Sequence, residues 1–289
     1  MQPVLADLVA LLSLERLDRD LFRGESQDLG WGAIFGGQVV GQALSAAAQT
    51  VPADRPVHSL HAYFLRRGDV KRPLIYHVDR IRDGGSFTTR RVVAVQDGEA
   101  IFSLGASFQI DEPGFDHQDP MPPLPGPDGL LSERDLALRV AEHIPENLRP
   151  MALAQRPIEL RPVEVRNPLR PERKEAKRQI WLRAIDALPD DQALHRYLLA
   201  YASDFSFLTA SLDPHGASWL QPRMQVASVD HAMWFHRPLR MDEWLLFDIE
   251  SPTASGARGL VRGRFFDRAG RLVASAVQEG LIRERQPKP

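Results

Sequence analysis

The chain has 289 residues, long for one hydrophobic core and sufficient for two modules of ordinary size. Its 36 Lys and Arg against 38 Asp and Glu leave a net charge of -2, without the basic excess of a nucleic-acid groove, so no nucleic-acid partner is expected. Cysteine is absent, which excludes disulfides, thiolate metal sites and a cysteine nucleophile together.

The N-terminus opens with an amphipathic segment at residues 5–12 that predicts a short helix. It has no basic region and is soon interrupted by Asp7, Glu15 and Arg16, so it does not read as a signal peptide. No apolar run approaches the ~18 residues needed to span a bilayer. A cytoplasmic protein without a membrane partner is the expectation. The C-terminal Gln286-Pro287-Lys288-Pro289 lacks the Ser-Lys-Leu type of peroxisomal address.

From Phe35 onward, Val40, Ala43, Leu44, Ala47 and Ala48 recur at helical spacing. Gly36, Gly37 and Gly41 each cost such a helix roughly 1 kcal/mol relative to Ala, and they point to close backbone approach to a sheet or a ligand. Strands are predicted at 58–65, 74–81, 87–95 and 100–110, separated by the turn chemistry of Arg82-Asp83-Gly84-Gly85 and Gln96-Asp97-Gly98-Glu99. A helix followed by an antiparallel meander is an α+β pattern.

Residues 112–129 carry Pro113, Pro120, Pro122, Pro123, Pro125 and Pro127, a density that marks an extended linker. Ser132 and Asp135 form a helix-start pair, predicting a helix over 133–143. The order of the first half then repeats. Strands are expected at 159–165 and 179–185, then a helix after Pro189-Asp190-Asp191 with an apolar stripe through Leu194, Leu198, Tyr201, Phe205 and Leu208. Further strands are expected at 225–235, 244–251, 259–267 and 272–282. The boundaries are therefore 1–111 for an N-terminal module, 112–157 for a Pro-rich linker with a helix, and 158–289 for a C-terminal module.

This repetition is visible in side chains as well as in element order. Tyr63-Phe64-Leu65-Arg66 parallels Trp234-Phe235-His236-Arg237, and Arg90 lies 8 residues before Gly98 as Arg262 lies 8 before Gly270. Only the second half carries Asp204, Ser228 and Gln278, whereas residues 36–51 contain no carboxylate. A fused pseudo-dimer with one active site and one silent one is the expectation.

Asp204 stands beside the apolar stripe of its helix, where a carboxylate is at least partly buried. It then either accepts a hydrogen bond from a water or hydroxyl, or is satisfied by a neighbouring Arg or helix end. Period-2 alternation places Ser228 on the side of Val226 and Asp230, and Gln278 on a face with Ala274, Ala276 and Gly280. Small neighbours around one long amide leave room for a ligand; the alternative is a Gln bonded to backbone in an edge strand. His58, His61, His231 and His236 fall on or beside the duplicated strand, and His61 and His231 are expected to pack or hydrogen-bond within the core. Neither a Gly-x-Ser-x-Gly elbow nor a His-Glu-x-x-His helix is present, so no metal and no cofactor is expected.

Four stretches carry a more specific signal: Phe35-Gly36-Gly37-Gln38-Val39-Val40-Gly41-Gln42-Ala43, His58-Ser59-Leu60-His61-Ala62-Tyr63-Phe64-Leu65-Arg66, Asp230-His231-Ala232-Met233-Trp234-Phe235-His236-Arg237 and Val273-Ala274-Ser275-Ala276-Val277-Gln278-Glu279-Gly280. Together they resemble the acyl-CoA thioesterase II family, from about Leu11 to Arg283 and including the Pro-rich linker. The resemblance implies a double hotdog fold, each half wrapping a curved antiparallel sheet around a central helix. It also implies hydrolysis of fatty acyl-CoA to free acid and coenzyme A. The family's catalytic Asp, hydroxyl residue and Gln fall on Asp204, Ser228 and Gln278; some relatives have Thr where Ser228 stands, and many have Pro where Arg67 stands.

On that reading the three side chains hold one water and aim it at the thioester carbonyl. Without a neighbouring base, Ser228 has no means of becoming a nucleophile. Gly37, Gln38, His58, Arg66 and Arg258 are candidate substrate-binding residues, with Arg67 and Arg262 as further candidate phosphate contacts. A hotdog hydratase or dehydratase acting on acyl thioesters is the alternative enzyme, requiring His58 or His61 beside an acid. A non-catalytic acyl-CoA binding protein is the alternative outside enzymes. Exposed sheet edges and the analogy to the family make a dimer or tetramer of chains the expected assembly.

Overall fold

A computed structural model describes residues 1–285, so the Gln286-Pro287-Lys288-Pro289 tail considered above lies outside the described residues. The first half runs through α1 (Pro3–Leu12), a hairpin of β1 (Glu15–Asp18) and β2 (Leu21–Gly24), α2 (Gly36–Ala48), β3 (Val57–Phe64), β4 (Leu74–Asp83), β5 (Phe87–Gln96) and β6 (Glu99–Gln109). The second runs through α3 (Glu133–Arg139), α4 (Arg149–Leu153), β7 (Ile158–Pro162), β8 (Lys177–Ala184), α5 (Gln192–Ala202), β9 (Met224–Ser228), β10 (Asp230–Phe235), β11 (Leu245–Ser255), β12 (Arg258–Asp267) and β13 (Leu272–Glu284).

The strands form one antiparallel sheet in the order β1-β2-β4-β5-β6-β3-β10-β13-β12-β11-β8-β7, with β9 on the far end of β13. Read outward from the β3–β10 seam, the two halves repeat the same order. That seam is a register of Asp230 opposite Tyr63 through Trp234 opposite Ser59, so the Tyr63 and Trp234 motifs stand at opposite ends of the ladder, related by a pseudo-two-fold axis near His61 and Ala232. The expected α+β double hotdog is the observed architecture.

Helix α2 lies against the inner face of β3 to β6 and against α5. From Gly37 to Ala47 it is buried on every side, as a helix of small and apolar residues must be when it sits between layers. A Cβ on Gly37 would collide with the Tyr201 backbone oxygen, and one on Gly41 would lie 3.1 Å from the Tyr197 oxygen. The glycines therefore permit close approach to a second helix, rather than to a sheet. The pairing of residue 37 with 201 and 41 with 197 shows that the two helices run antiparallel.

Residues 110–131 contain no helix or strand, as six prolines dictate. They nevertheless bind the outer face of the second half. The Pro125 carbonyl accepts from Trp181 Nε1 at 2.9 Å, and Met121, Leu124 and Leu130 pack on a separate apolar cluster of Trp181, Trp244, Leu246 and Phe266. The predicted linker helix ends at Arg139, with a 3-10 turn following over Ala141–His143.

Two departures from the sequence reading concern the site. Helix α5 ends at Ala202, although its apolar stripe continued to Leu208, because Ser206 adopts a left-handed φ of 57° and turns the chain. The expected strand 225–235 is two strands. Ser228 pairs with Gly280 but Ala232 pairs with Val277, a slip of one residue that constitutes a bulge. The slip breaks the period-2 alternation, so Ser228 and His231 reach the same side of the sheet although their spacing is odd.

Candidate active site

Asp204 sits two residues beyond the end of α5, half-buried, with the start of α2 directly in front of it. The N-cap of α2 is Phe35, which offers no side-chain acceptor, so the first amides of this helix need an anion from elsewhere. Asp204 supplies it: the Gly37 N–H donates to Asp204 Oδ2 at 2.9 Å. Gly36 is equally constrained, since a Cβ there would lie 2.6 Å from the same oxygen and 3.0 Å from the Phe64 ring. The alternative reading of Asp204, a carboxylate at a helix end, is thus partly realised, at the N-terminus of the helix from the other half.

The second carboxylate oxygen faces Ser228 and Gln278. Gln278 Nε2 donates to Asp204 Oδ1 at 3.2 Å and also to Ser228 Oγ, whose own hydroxyl lies 3.5 Å from Asp204 Oδ1. Gln278 is fully buried in β13, between β10 and β12. An edge-strand Gln bonded to backbone is therefore not its situation. Its register partner is Val261 and its neighbours on that face are Ala276 and Gly280, which leave the amide room to reach Asp204.

Behind Gln278 lies His231, fully buried. Its Nδ1 is 3.2 Å from Gln278 Oε1, and its Nε2 is 2.9 Å from Ser203 Oγ. Burial pushes its imidazolium below the ordinary histidine range, partly opposed by the Asp204 charge, so the ring is held neutral. At the bulge the Glu279 backbone amide is answered by a side chain, donating to Asp230 Oδ1 at 2.6 Å.

An aromatic wall closes the other side. Phe35 stacks on Phe205 at 4.5 Å, meets Tyr201 edge-on at 5.2 Å and is flanked by Trp31 at 5.2 Å. The Tyr201 hydroxyl is buried without a hydrogen-bond partner among the described residues, and burial raises its pKa. Sequence reasoning had Phe205 and Tyr201 as plain core residues and passed over Trp31, Ser203 and the role of His231. The signals available were Ser203 directly before Asp204, and a histidine directly after Asp230 near a strand break.

Of the candidate substrate-binding residues, Gly37 touches the trio. Gln38 does not: it is buried behind the helix start, accepting from Gln27 N at 3.1 Å and donating to Glu25 O at 3.1 Å. His58 is bonded to Ser107 Oγ at 2.8 Å and stands roughly 20 Å along β3 from Phe64, by the ordinary rise of a strand. Arg66 is paired with Glu99 at 3.1 Å and Arg258 with Glu279 at 2.9 Å, both exposed. Arg67 donates to the Gly32 carbonyl at 2.8 Å and Arg262 to Glu250 at 2.6 Å. The structure leaves these four arginines outside the Asp204 cluster. His61 corrects a further expectation: it is exposed on the outer face against Trp234, at 5.2 Å, because inward positions on β3 belong to Leu60 and Ala62.

Comparison with known proteins decides the family. An acyl-CoA thioesterase model matches residues 148–281, and a model of the acyl-CoA thioesterase N-terminal domain matches 26–109. Acyl-CoA thioesterase 2 of Haemophilus influenzae is 44% identical, over 98% of this chain and 99% of its own length. The chain belongs to the acyl-CoA thioesterase family. Human acyl-coenzyme A thioesterase 8 is 43% identical over 96% of this thioesterase and 88% of its own length. The crystal structure of an acyl-CoA thioesterase II from Mycobacterium marinum superposes with a TM-score of 0.79 at 41% identity, covering 98% of this chain and 99% of that one. Among the described residues of this thioesterase, no helix is long and apolar enough to cross a membrane.

Proposed function

We propose that this thioesterase hydrolyses fatty acyl-CoA by direct attack of a water held between Asp204, Ser228 and Gln278. The observation that carries this reading is convergence: a carboxylate past α5, a hydroxyl at the end of β9 and an amide from β13 meet within hydrogen-bond reach. Asp204 Oδ1 accepts the proton of the water while the Ser228 hydroxyl and Gln278 amide fix its direction. Asp204 Oδ2 stays on the Gly37 amide, so the base keeps one orientation throughout. The thioester carbon takes the hydroxide, the tetrahedral intermediate collapses with cleavage of its C–S bond, and the proton taken up by Asp204 passes to the departing sulfur, so coenzyme A leaves as the thiol and the carboxylate is restored. The acyl chain has the Phe35, Phe205 and Tyr201 wall to lie against, and both modules build the site, 1–111 with Phe35 and Gly37 and 158–289 with Tyr201, Phe205 and the trio.

A hydratase would need a histidine and a carboxylate converging on the acyl chain, and His58 and His61 stand away from Asp204 for the reasons given. The test uses the missing cysteines: thiol released from a panel of acyl-CoAs is read by a thiol reagent without protein background. Asp204→Asn and Gln278→Ala should each lower kcat at least about 100-fold in folded protein. Absence of thiol release above buffer for every chain length would remove the thioesterase reading; wild-type rates in both variants would remove the trio. Binding of acyl-CoA without turnover would instead favour a sensor.

A further inference from the structure

We propose that His231, through one hydrogen bond, sets the orientation of the Gln278 amide and is a positioning residue for the water-holding cluster. The inference rests on the reading of Gln278 given above. It follows from donor and acceptor chemistry taken in order. A carboxylate offers only acceptors, so the end of the Gln278 amide that faces Asp204 Oδ1 must be the NH2. The opposite end, facing His231 Nδ1 at 3.2 Å, is then the carbonyl. A carbonyl needs a donor, which fixes the imidazole proton on Nδ1. A neutral ring with its proton on Nδ1 is an acceptor at Nε2, which requires the Ser203 hydroxyl, 2.9 Å away, to donate there. Among the described residues the rival acceptor for that hydroxyl is the Ala200 carbonyl at 2.8 Å, and a Ser203 proton turned there would leave Nε2 as the donor.

Without His231 the two ends of the amide are no longer distinguished from behind. A flipped amide would place its carbonyl oxygen against Asp204 and Ser228 Oγ, repelling the carboxylate and turning the water-directing donor away. Two features separate this role from ordinary packing. The one-residue bulge between β9 and β10 brings Ser228 to the inward side that His231 shares with Met233 and Phe235, so hydroxyl, amide and imidazole meet there. In the first half, continuing the register from Tyr63 opposite Ser103 and Trp234 opposite Ser275, the places of Gln278 and His231 are held by Ala106 and Leu60. Where there is no amide to orient, there is no imidazole.

The experiment is thiol-release kinetics on five folded proteins: wild type, His231→Leu, His231→Asn, Gln278→Ala and the His231→Leu, Gln278→Ala double variant. His231→Leu should lower kcat roughly 10- to 100-fold, the scale of a displaced catalytic group, with KM within about threefold. His231→Asn, whose amide nitrogen can take the place of Nδ1, should recover to within about threefold of wild type. The double variant should be no slower than Gln278→Ala. Wild-type kcat in His231→Leu, or losses that multiply in the double variant, would overturn the positioning role while leaving Gln278 as a catalytic group. Wild-type kcat in Gln278→Ala would overturn the reading beneath it and this inference together. A measurement that needs no variant to fold is the 15N spectrum of the wild-type ring at neutral pH: the proton belongs on Nδ1, and a ring protonated on Nε2 alone would refute the proposal.

Discussion

The starts of the two central helices are built differently. Helix α5 is capped by its own Asp191, which accepts from the Ala193 amide at 2.9 Å. Helix α2 has no side-chain cap, and its Gly37 amide is answered by Asp204 from the opposite half. The far ends differ in the same sense. Two residues past α5 stands Asp204; two residues past α2 stands Thr50, which accepts from the fully buried Arg90 at 2.8 Å. Arg90 pairs with Ala106, and Val261 pairs with Gln278, so Arg90 occupies in the first half the place that Val261 holds in the second. The pseudo-site is filled by a guanidinium that also donates to the Thr50 carbonyl at 3.1 Å and to Asp83 at 2.6 Å. One half keeps a carboxylate, a hydroxyl and an amide gathered together, and the other fills the same space with a guanidinium bonded to its own half.

That contrast is open to direct attack. The largest effect is expected at Gly37→Ala, because the added methyl meets the backbone oxygen of Tyr201 and neither helix can yield alone. Overpacking of this kind costs roughly 1–3 kcal/mol, and displacement of the Asp204 partner should lower kcat about 100-fold. Thermal unfolding and thiol release on the same sample would show both. Arg90→Leu comes next: it should cost roughly 2–3 kcal/mol in urea unfolding by stripping charge-assisted bonds from Thr50, with the exposed Asp83 left hydrated. Its kcat should stay at the wild-type value, and a large loss there would mean that the first half is not silent. Asp191→Ala should cost about 1 kcal/mol of stability and leave kcat unchanged, in contrast to Asp204→Asn.

The smallest effect is on the pH dependence of stability. Burial holds the folded-state pKa of His231 below its ordinary value of 6.5. The unfolded chain therefore binds more protons between the two values, and stability falls as pH drops below about 6.5 until the folded pKa is passed. His231→Leu, which copies Leu60 of the other half, should give a shallower fall in urea midpoint as pH drops below about 6.5. An unchanged slope would place the acid sensitivity on other histidines.

How far the sequence could be read depended on whether a feature leaves a period. The stripe of α5 and the strands flanking Asp97-Gly98 were legible, and the turn between β5 and β6 has the positive φ at both residues that this pair suits. Strand β1 was invisible because all four of its residues are exposed, which leaves no alternation to detect. Asp204, Ser228 and Gln278 could be nominated from residue type, but the bulge that turns Ser228 and His231 to one side adds no distinctive residue to the string. Counting backward from glycines made Arg90 the twin of Arg262. The loop between Phe266 and Leu272 is longer than the Asp97-Gly98 turn, so the true twin is Val261, and Arg262 is an exposed partner of Glu250. Arg66, Arg258 and Arg262 illustrate a different limit: a charge in a sequence does not disclose the carboxylate already beside it.

The bond from Gly37 to Asp204 joins the beginning of one helix to the end of the other. In an assembly of identical chains, a single gene would have to encode a bare glycine start and an acidic turn in every copy, and any change to either would strike both sites at once. Tandem duplication removes that bond of identity. One copy is free to specialise as the donor of amides, the other as the bearer of the carboxylate, and each can accumulate changes that its twin could not tolerate.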